Sequence, residues 1–516
     1  MTPVPDPSEE WRRLDRRTVL VTAAVLTGVA GGAGLPTVLG LAGAMPLWRA
    51  VTWVLAGAAL LVGGGAAADY VRWRRTRYRV GAERAELRTG LLLVKRRSLA
   101  RERIRSVDLT AHPLLRVLGL VKVRIGTGEN AGGESTLELD PVTKAEGERL
   151  RRELLDRVRP DAPDSPHDGA LAVLDPGWIR YAPASFVAPL LGGAAAGAVM
   201  QVSEWFGAQG EVIEWIGDRF QDTSVLGMIV VLVLLALLAG TVGALGLWVE
   251  MWWNYRLERE PGGTLRVRRG LFTARSISIE ERRLRGIELV EPLGVRMCRA
   301  ARVDAVATGL VKDDEDKHAD HKTLLPPAPR DLADRVAAQV LREPEAPTGA
   351  PLTAHPRAAR TRRLRWALGS ALAPVAVLAV LGAALTPVLL YAAAGCALVL
   401  VPLAVLLALD AYRNLGHGIT GDYLVTRSGT VRRTTVALQR GGVIGWTVKQ
   451  SSFQRRAGVL TLTATTAAGE GAYDIHDAGE GEGLAFAAEA VPDLLAPFLK
   501  PTGVRDAGVE TRKTRG

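Results

Sequence analysis

Residues 78–128, YRVGAERAELRTGLLLVKRRSLARERIRSVDLTAHPLLRVLGLVKVRIGTG, decide how the rest of the chain is read. The stretch is basic and strand-rich, and its spacings recur. Gly90 in LRTG stands 14 residues before Ile104 (104−90), Gly270 stands 14 before Leu284, and Gly429 stands 14 before Val443. A longer interval repeats as well: Gly90 to Gly119 is 29, Gly429 to Gly458 is 29, and Gly270 to Ala300 is 30. Self-similarity at a fixed period marks a repeat architecture. Three small strand modules are therefore expected.

Each module shows one plan. In the first, Tyr78–Val80, Ala85–Arg88 and Leu91–Val94 read as short strands, with Gly90 at a turn that favours a positive φ. Ile104–Leu109 and Val121–Ile125 alternate apolar and polar residues at period two, as half-buried strands do. A closing helix follows over Pro141–Val158, where Val142, Ala145, Leu150, Leu154 and Val158 keep helical spacing. Pro329–Leu341 and Gly483–Leu499 take that part in the second and third modules. Short antiparallel strands sealed by one helix predict a small, partly open β-barrel.

Between the modules lie six apolar runs: Val19–Ala44, Val51–Ala68, Ala184–Gln201, Val225–Val249, Trp366–Leu385 and Val388–Leu409. About 20 apolar helical residues cross a hydrocarbon core, so the runs predict six spans in three hairpins. The run after Arg16 and Arg17 is too long for a signal-peptide core and reads as the first span. Arginines flank the hairpins: Arg12, Arg13, Arg16 and Arg17 before the first, Arg72, Arg74, Arg75 and Arg77 after it, and Arg357, Arg360, Arg362, Arg363 and Arg365 before the third. The loop between the third and fourth runs holds Glu204, Glu211, Glu214, Asp218 and Asp222 against Arg219, a net of −4 (1−5). Its interleaved tryptophans read as an amphipathic segment on the outer leaflet. Positive charge stays inside, so both termini and all three modules are expected in the cytoplasm of a cell (plasma) membrane protein.

The fold class expected is thus an α-helical integral membrane protein with three cytoplasmic β-barrel modules, each capped by a C-terminal helix. The parts are a basic lead (1–18), hairpin 1 (19–71), module 1 (72–159), a linker (160–182), hairpin 2 (183–250), module 2 (251–343), a linker (344–363), hairpin 3 (364–411), a degenerate module 3 (412–500) and a polar tail (501–516). Cys298 and Cys396 stand in unrelated contexts, which argues against a disulfide framework.

A resemblance names these β-barrel modules PH-like. The first module resembles the bacterial pleckstrin-homology-like, membrane-flanked domain of YdbS/YdbT-like membrane proteins. Tyr78, Arg79, Gly90, Arg97, Ser98, Ile104, Ser106, Val107, Leu114, Arg116, Gly119, Leu120, Gly126 and Gly128 stand at that pattern's places. The second module keeps Tyr255, Arg256, Gly270, Leu271, Arg275, Ser276, Ile287 and Gly309, with Ala300 where the first has Gly119. The third keeps Tyr423, Gly429, Arg440 and Gly458. The resemblance implies a PH-type fold of seven strands and a capping helix, and a smaller membrane partner carrying the same domain. It implies no activity, because a fold does not fix its ligand.

Catalytic motifs are missing from the sequence: it has no nucleophile elbow, P-loop or dinucleotide fingerprint in its strand–helix context. His318 and His321 lie among Asp313, Asp314, Asp316 and Asp320, a set read as a solvated hairpin tip rather than a metal site. No cofactor and no enzyme activity are expected. Nucleic-acid binding is disfavoured because stacking aromatics are lacking. Candidate contacts to anionic inner-leaflet lipid or a protein partner are Lys95, Arg96, Arg97, Arg101, Arg103, Arg105, Arg268, Arg269, Arg275, Arg282 and Arg283. In the apolar runs, Gly28-x-x-x-Gly32 and Gly193-x-x-x-Gly197 offer close helix contacts, a spacing that glycine-rich spans also produce by chance. The function expected is a membrane-anchored scaffold or sensor in envelope maintenance or resistance to membrane-active compounds. A transport component is the alternative, opposed by the lack of charge in mid-span.

Overall fold

The computed structural model of the chain describes residues 11–81, 83–90, 94–104, 106–126, 136–155, 169–185, 187–205, 207–260, 262–308, 322–492 and 494. The chain divides into two units, Met1–Gly349 with Val431–Thr434, and Ala350–Thr430 with Thr435–Gly516.

The first unit opens with β1 (Arg12–Arg13), the helices α1 (Thr18–Ala42) and α2 (Leu47–Arg75), and the strands β2 (Arg77–Val80), β3 (Arg84–Thr89) and β4 (Lys95–Ala100). The module continues with β5 (Ser106–Ala111), α3 (Pro113–Val117), β6 (Leu120–Gly126), β7 (Thr136–Thr143) and α4 (Lys144–Leu155). The second module repeats this order: β8 (Ala170–Val173), α5 (Val187–Trp205), α6 (Gln209–Arg219), α7 (Val225–Trp252), β9 (Arg256–Glu260), β10 (Thr264–Arg269) and β11 (Ala274–Glu280). It ends with β12 (Leu284–Pro292), α8 (Leu293–Met297), β13 (Ala300–Ala307), β14 (Thr323–Pro329) and α9 (Arg330–Leu341).

The second unit holds β15 (Thr353–Ala354), α10 (Arg357–Ala384), α11 (Pro387–Arg413), β16 (Gly416–Thr420), β17 (Tyr423–Ser428) and most of β18 (Arg432–Gln439). It closes with β19 (Val443–Lys449), α12 (Ser452–Arg456), β20 (Val459–Thr466), β21 (Ala472–Gly479) and α13 (Glu480–Ala490).

Three features differ from the sequence reading. First, every helical hairpin is inserted into a sheet. β1, β8 and β15 precede the hairpins and pair antiparallel with β2, β9 and β16, which follow them. The stretches 160–182 and 344–363, expected as linkers, therefore contribute strands. Second, the modules do not close as separate barrels. β1–β4 form one sheet, but β5–β7 run on into β8–β11 through antiparallel pairing of β5 with β11. An edge strand presents unpaired N–H and C=O groups that need a partner, and β5 finds it in the neighbouring module. Third, the closing helices begin after the expected proline or short of the expected glycine: Pro141 and Val142 belong to β7, Pro329 ends β14, and α13 starts at Glu480.

Five described helices are long and apolar enough to cross a membrane: α1, α2, α7, α10 and α11. Over the third expected run, Ala184–Gln201, α5 has 19 residues, many of them Gly and Ala, with polar Gln201, Ser203 and Glu204 near its end, and it is not among them. It packs instead against α7 at close range. A Cβ on Gly192 would lie 2.1 Å from the Ala236 carbonyl oxygen, and one on Gly240 would lie 1.9 Å from that of Ala188. The expected Gly28/Gly32 and Gly193/Gly197 pairs have open space around them. Spacing alone could not show which glycines face a neighbour.

The core of the first module is built from both halves. Tyr78, Val80, Ala85, Leu87 and Leu99 meet Ile104, Val107, Val123, Ile125, Leu137 and Leu139, with Leu150 and Leu154 of α4 closing the end. Gly147 lets α4 approach β6, since a Cβ there would stand 2.6 Å from a Val121 methyl.

Candidate functional site

The site grows out of strand register. Arg13 pairs with Arg77, Arg77 with Arg88, and Arg88 with Arg96. Directly opposed residues of antiparallel strands share a face, so four arginines stand in line across β1–β4. The row beside them, Arg12, Tyr78, Leu87 and Arg97, turns the other way, and Tyr78 and Leu87 are buried in the core. Arg13, Arg77 and Arg96 are exposed and Arg88 is half-buried. Like charges directly opposed are destabilising, and none of the four has a carboxylate partner among the described residues.

Two tryptophans hold part of the row. The Arg88 guanidinium lies 4.1 Å from the ring centre of Trp11, and that of Arg13 lies 6.0 Å from that of Trp73. Trp73 in turn donates from Nε1 to the Leu14 carbonyl at 2.9 Å. Cation–π contact orients a guanidinium without neutralising it. One residue, Thr76, separates Arg77 of the ladder from the end of α2, where Arg72, Arg74 and Arg75 are exposed.

Behind the sheet, carboxylates are already engaged. Glu146 accepts from Arg12 (3.1 Å), Tyr78 (3.0 Å) and Arg149 (2.8 Å). Burial draws its carboxyl upward, but these partners outweigh that and hold it below the usual range. Beside the ladder's end, an open cleft of about 450 Å³ is lined by Leu14, Arg72, Thr76, Thr89, Gly90, Glu138 and Asp140. Burial likewise raises Glu138, and the opposing charges and bonds of Lys122 (2.9 Å) and Arg124 (2.8 Å) bring it below the ordinary value. The cleft therefore carries both signs of charge, whereas the ladder carries one.

The sequence-derived candidates separate into groups. Lys95 and Arg96 lie exposed on β4, with Arg97 half-buried beside them. Arg268 is exposed on β10, and Arg275 faces Thr110 in the β5–β11 pairing. Others hold the fold together. Arg101 donates to the Glu153 and Gly81 carbonyls, and Arg269 is buried with its guanidinium 4.4 Å from the Trp252 ring centre. Arg282 and Arg283 meet Glu280 at 2.7 and 3.0 Å, and Arg283 also donates to the Ile104 carbonyl at 2.9 Å. The Arg103 side chain, Arg105, and the segment with His318 and His321 lie outside the described residues. Among the described residues no group of His, Cys, Asp and Glu is arranged to hold a metal. Arg13, Arg77 and Arg88 were not among the candidates. The β2–β3–β4 register places Arg77 and Arg88 in line with Arg96, and the β1–β2 pairing across the inserted hairpin adds Arg13.

A second cluster also escaped the sequence, in the third module. His355 Nε2 and His417 Nδ1 lie 2.9 Å apart, and the Phe486 ring stands edge-on to His417 at 4.6 Å. Tyr412 donates its hydroxyl to the His355 carbonyl at 3.0 Å. Nearby, the fully buried Asp477 is met by Arg362, by Arg363 at 3.4 Å and by Gln454 at 3.0 Å. Burial, followed by the neighbouring His355, pushes His417 down to about 4. His355 and His476 are lowered as well, chiefly by burial. Since His355 precedes α10 and His417 follows α11, the cluster ties both ends of the hairpin to the module.

Apolar hairpins inserted into PH-type half-sheets agree with the family comparison. The bacterial PH domain family matches residues 25–158 and 373–490, each a hairpin with the module it enters. The chain thus carries two bacterial PH-domain matches, each with membrane-length helices beside it. The match takes in the third module, whose residues depart furthest from the pattern. Among curated proteins, the chain is similar to the UPF0699 transmembrane protein YdbT of Bacillus subtilis (strain 168), with 22% identity over 438 residues, 81% of this chain and 85% of that protein. No solved structure matches.

Proposed function

We propose that the chain is a non-enzymatic scaffold of the cell membrane, with its modules on the cytoplasmic side and anionic inner-leaflet lipid held on the ladder Arg13–Arg77–Arg88–Arg96. The ladder carries this reading: four arginines opposed across four strands, without carboxylate partners among the described residues, next to the end of a membrane-length helix. Each cation near an anionic leaflet contributes about 1 kcal/mol, decaying within a Debye length. Bound phosphates would also relieve the repulsion along the row. Lipid contact of this kind serves a scaffold or sensor, and the excess of arginine around the hairpins supports the cytoplasmic orientation.

The test uses the full chain in nanodiscs of mixed phosphatidylglycerol and phosphatidylcholine, with retained lipid counted by native mass spectrometry. Wild type is expected to retain phosphatidylglycerol preferentially, and Arg13→Ala/Arg88→Ala to lose that preference. Equal retention of both lipids by wild type, or an unchanged preference in the variant, rejects the lipid reading.

A further inference from the structure

β4 ends its sheet with one side unpaired, while the corresponding strand of the second module is covered. There, β11 lies against β5 with Ala274 opposite Ala111, Arg275 opposite Thr110 and Ser276 opposite Leu109. Within the first unit, the start of β18 repeats the arrangement against β12. Leu293 N–H donates to the Val431 carbonyl at 2.8 Å, and Arg433 makes two bonds of 2.8 Å to Glu291. Counted from the turn glycines, Val94, Ala274 and Arg433 are equivalent (94−90, 274−270 and 433−429). Of these three strands, β4 alone keeps an open outer edge among the described residues.

The groups on that edge follow from the ladder. Arg101 N–H donates to the Glu83 carbonyl at 2.8 Å, and the 83–101 register continues through Ala85–Leu99 and Leu87–Arg97. Hydrogen-bonded pairs alternate in an antiparallel ladder. Leu99, Arg97 and Lys95 therefore point their backbone groups at β3, and Arg96 and Ser98 point theirs outward. Lys95, Arg96 and Ser98 are exposed.

Charge selects the occupant. β19 also ends its sheet, but in the β5–β11 register it would set Lys449 opposite Lys95 (449−429 = 20 and 95−90 = 5, as 110−90 and 275−270). A second copy of β4, KRRSLA, would oppose cations to cations. Like charges directly opposed disfavour both pairings. The internal precedent is an acid on the incoming strand, Glu291 against Arg433. We infer that the β4 edge is a docking site for an acidic antiparallel strand of another polypeptide, seated as β5 is seated on β11. The contact is β-strand addition, with main-chain bonds for affinity and flanking charge for choice of partner. Its main-chain bonds use the edge of the sheet rather than the face that carries the ladder, and Arg96 alone belongs to both.

The probe is a fluorescein-labelled peptide with the sequence of residues 284–292, LRGIELVEP, which contains Glu288 and Glu291. Its anisotropy is followed against the full chain in phosphatidylcholine nanodiscs. Saturable binding is expected. Ser98→Pro, which removes an outward N–H but none donated to β3, should weaken it at least tenfold. Lys95→Glu/Arg96→Glu should weaken it as well, and a peptide with Glu288→Lys and Glu291→Lys should restore binding to that variant. Arg13→Ala/Arg88→Ala should bind the peptide like wild type while losing lipid preference, which separates this site from the ladder. Absent saturation, equal binding of a scrambled peptide, or full binding to Ser98→Pro overturns the inference.

Discussion

At the residue scale, one backbone position organises all three modules. Gly119 (φ 71°), Arg299 (φ 53°) and Gly458 (φ 63°) each take left-handed backbone just before the strand that follows the short helix. Each accepts, at its carbonyl, the N–H of the closing helix's first residue: Lys144, Arg330 and Glu480. The equivalent of Gly119 is thus Arg299, not Ala300, and the interval from Gly270 becomes 29, as in the other two modules. Sequence matching slid by one because an arginine gives no turn signal. Left-handed backbone costs a residue with a Cβ roughly 1–2 kcal/mol. Gly119→Ala, with open space around the new methyl, is expected to lower stability by about 1 kcal/mol in chemical denaturation, and Arg299→Gly to leave it equal or higher.

The buried histidines give the other prediction at this scale. His417 falls from the ordinary 6.5 to about 4, so the folded chain binds its proton less readily than the unfolded chain. Its contribution is complete above pH 6.5 and is lost as pH falls toward 4, an effect on the order of 3 kcal/mol. Thermal unfolding of the full chain should show this decline between those pH values, and His417→Phe should flatten it. The histidines at 355, 417 and 476 are far apart in sequence and converge only because a hairpin is inserted between the first two.

At the scale of elements, the helix that leads out of each hairpin carries a carboxylate in its last two turns: Asp69, Glu250 and Asp410. Glu250 accepts from the Phe272 and Thr273 amides at 2.9 Å each, and Asp410 accepts from Thr430 at 2.7 Å, so each anchors the helix to the turn after Gly270 or Gly429. In the first module, Asp69 instead accepts from Thr22 on α1 at 2.9 Å. Glycine placement inside the hairpins is equally specific. Gly240→Leu would drive a side chain into the Ala188 backbone, whereas Gly193→Leu would enter open space. The first should lower the melting temperature in detergent, consistent with an overpacking cost of 1–3 kcal/mol or more, and the second should leave it unchanged. Apolar length made the hairpins legible. Which glycines touch depends on helix rotation, which composition does not encode.

For the whole molecule, the shared sheet of the first unit is reinforced by an ion network between modules. Arg151 on α4 meets Glu260 on β9 at 2.7 Å, Arg266 on β10 meets Glu260 at 3.0 Å, and Arg266 meets Glu148 on α4 at 2.7 Å. The two arginine side chains are only 6% and 4% exposed. Removing one member of a buried pair costs about 3–5 kcal/mol, because a charge is left in a dry site. Glu260→Ala is expected to destabilise the first unit by that order and to broaden its denaturant transition as the two modules uncouple. Glu260→Gln should cost less.

The sequence by itself determined three modules, their period, five of the six expected membrane-length helices and the basic character of the first module, because these follow from local alternation, apolar length and turn glycines. Tertiary structure alone decided how the pieces join. Strands Arg12–Arg13, Ala170–Val173 and Thr353–Ala354 pair across inserted hairpins, and β5 pairs across modules. Such partners are remote in sequence, and register depends on backbone bonds that carry no residue signature. The same register turns scattered arginines into one ladder and leaves the edge of β4 open.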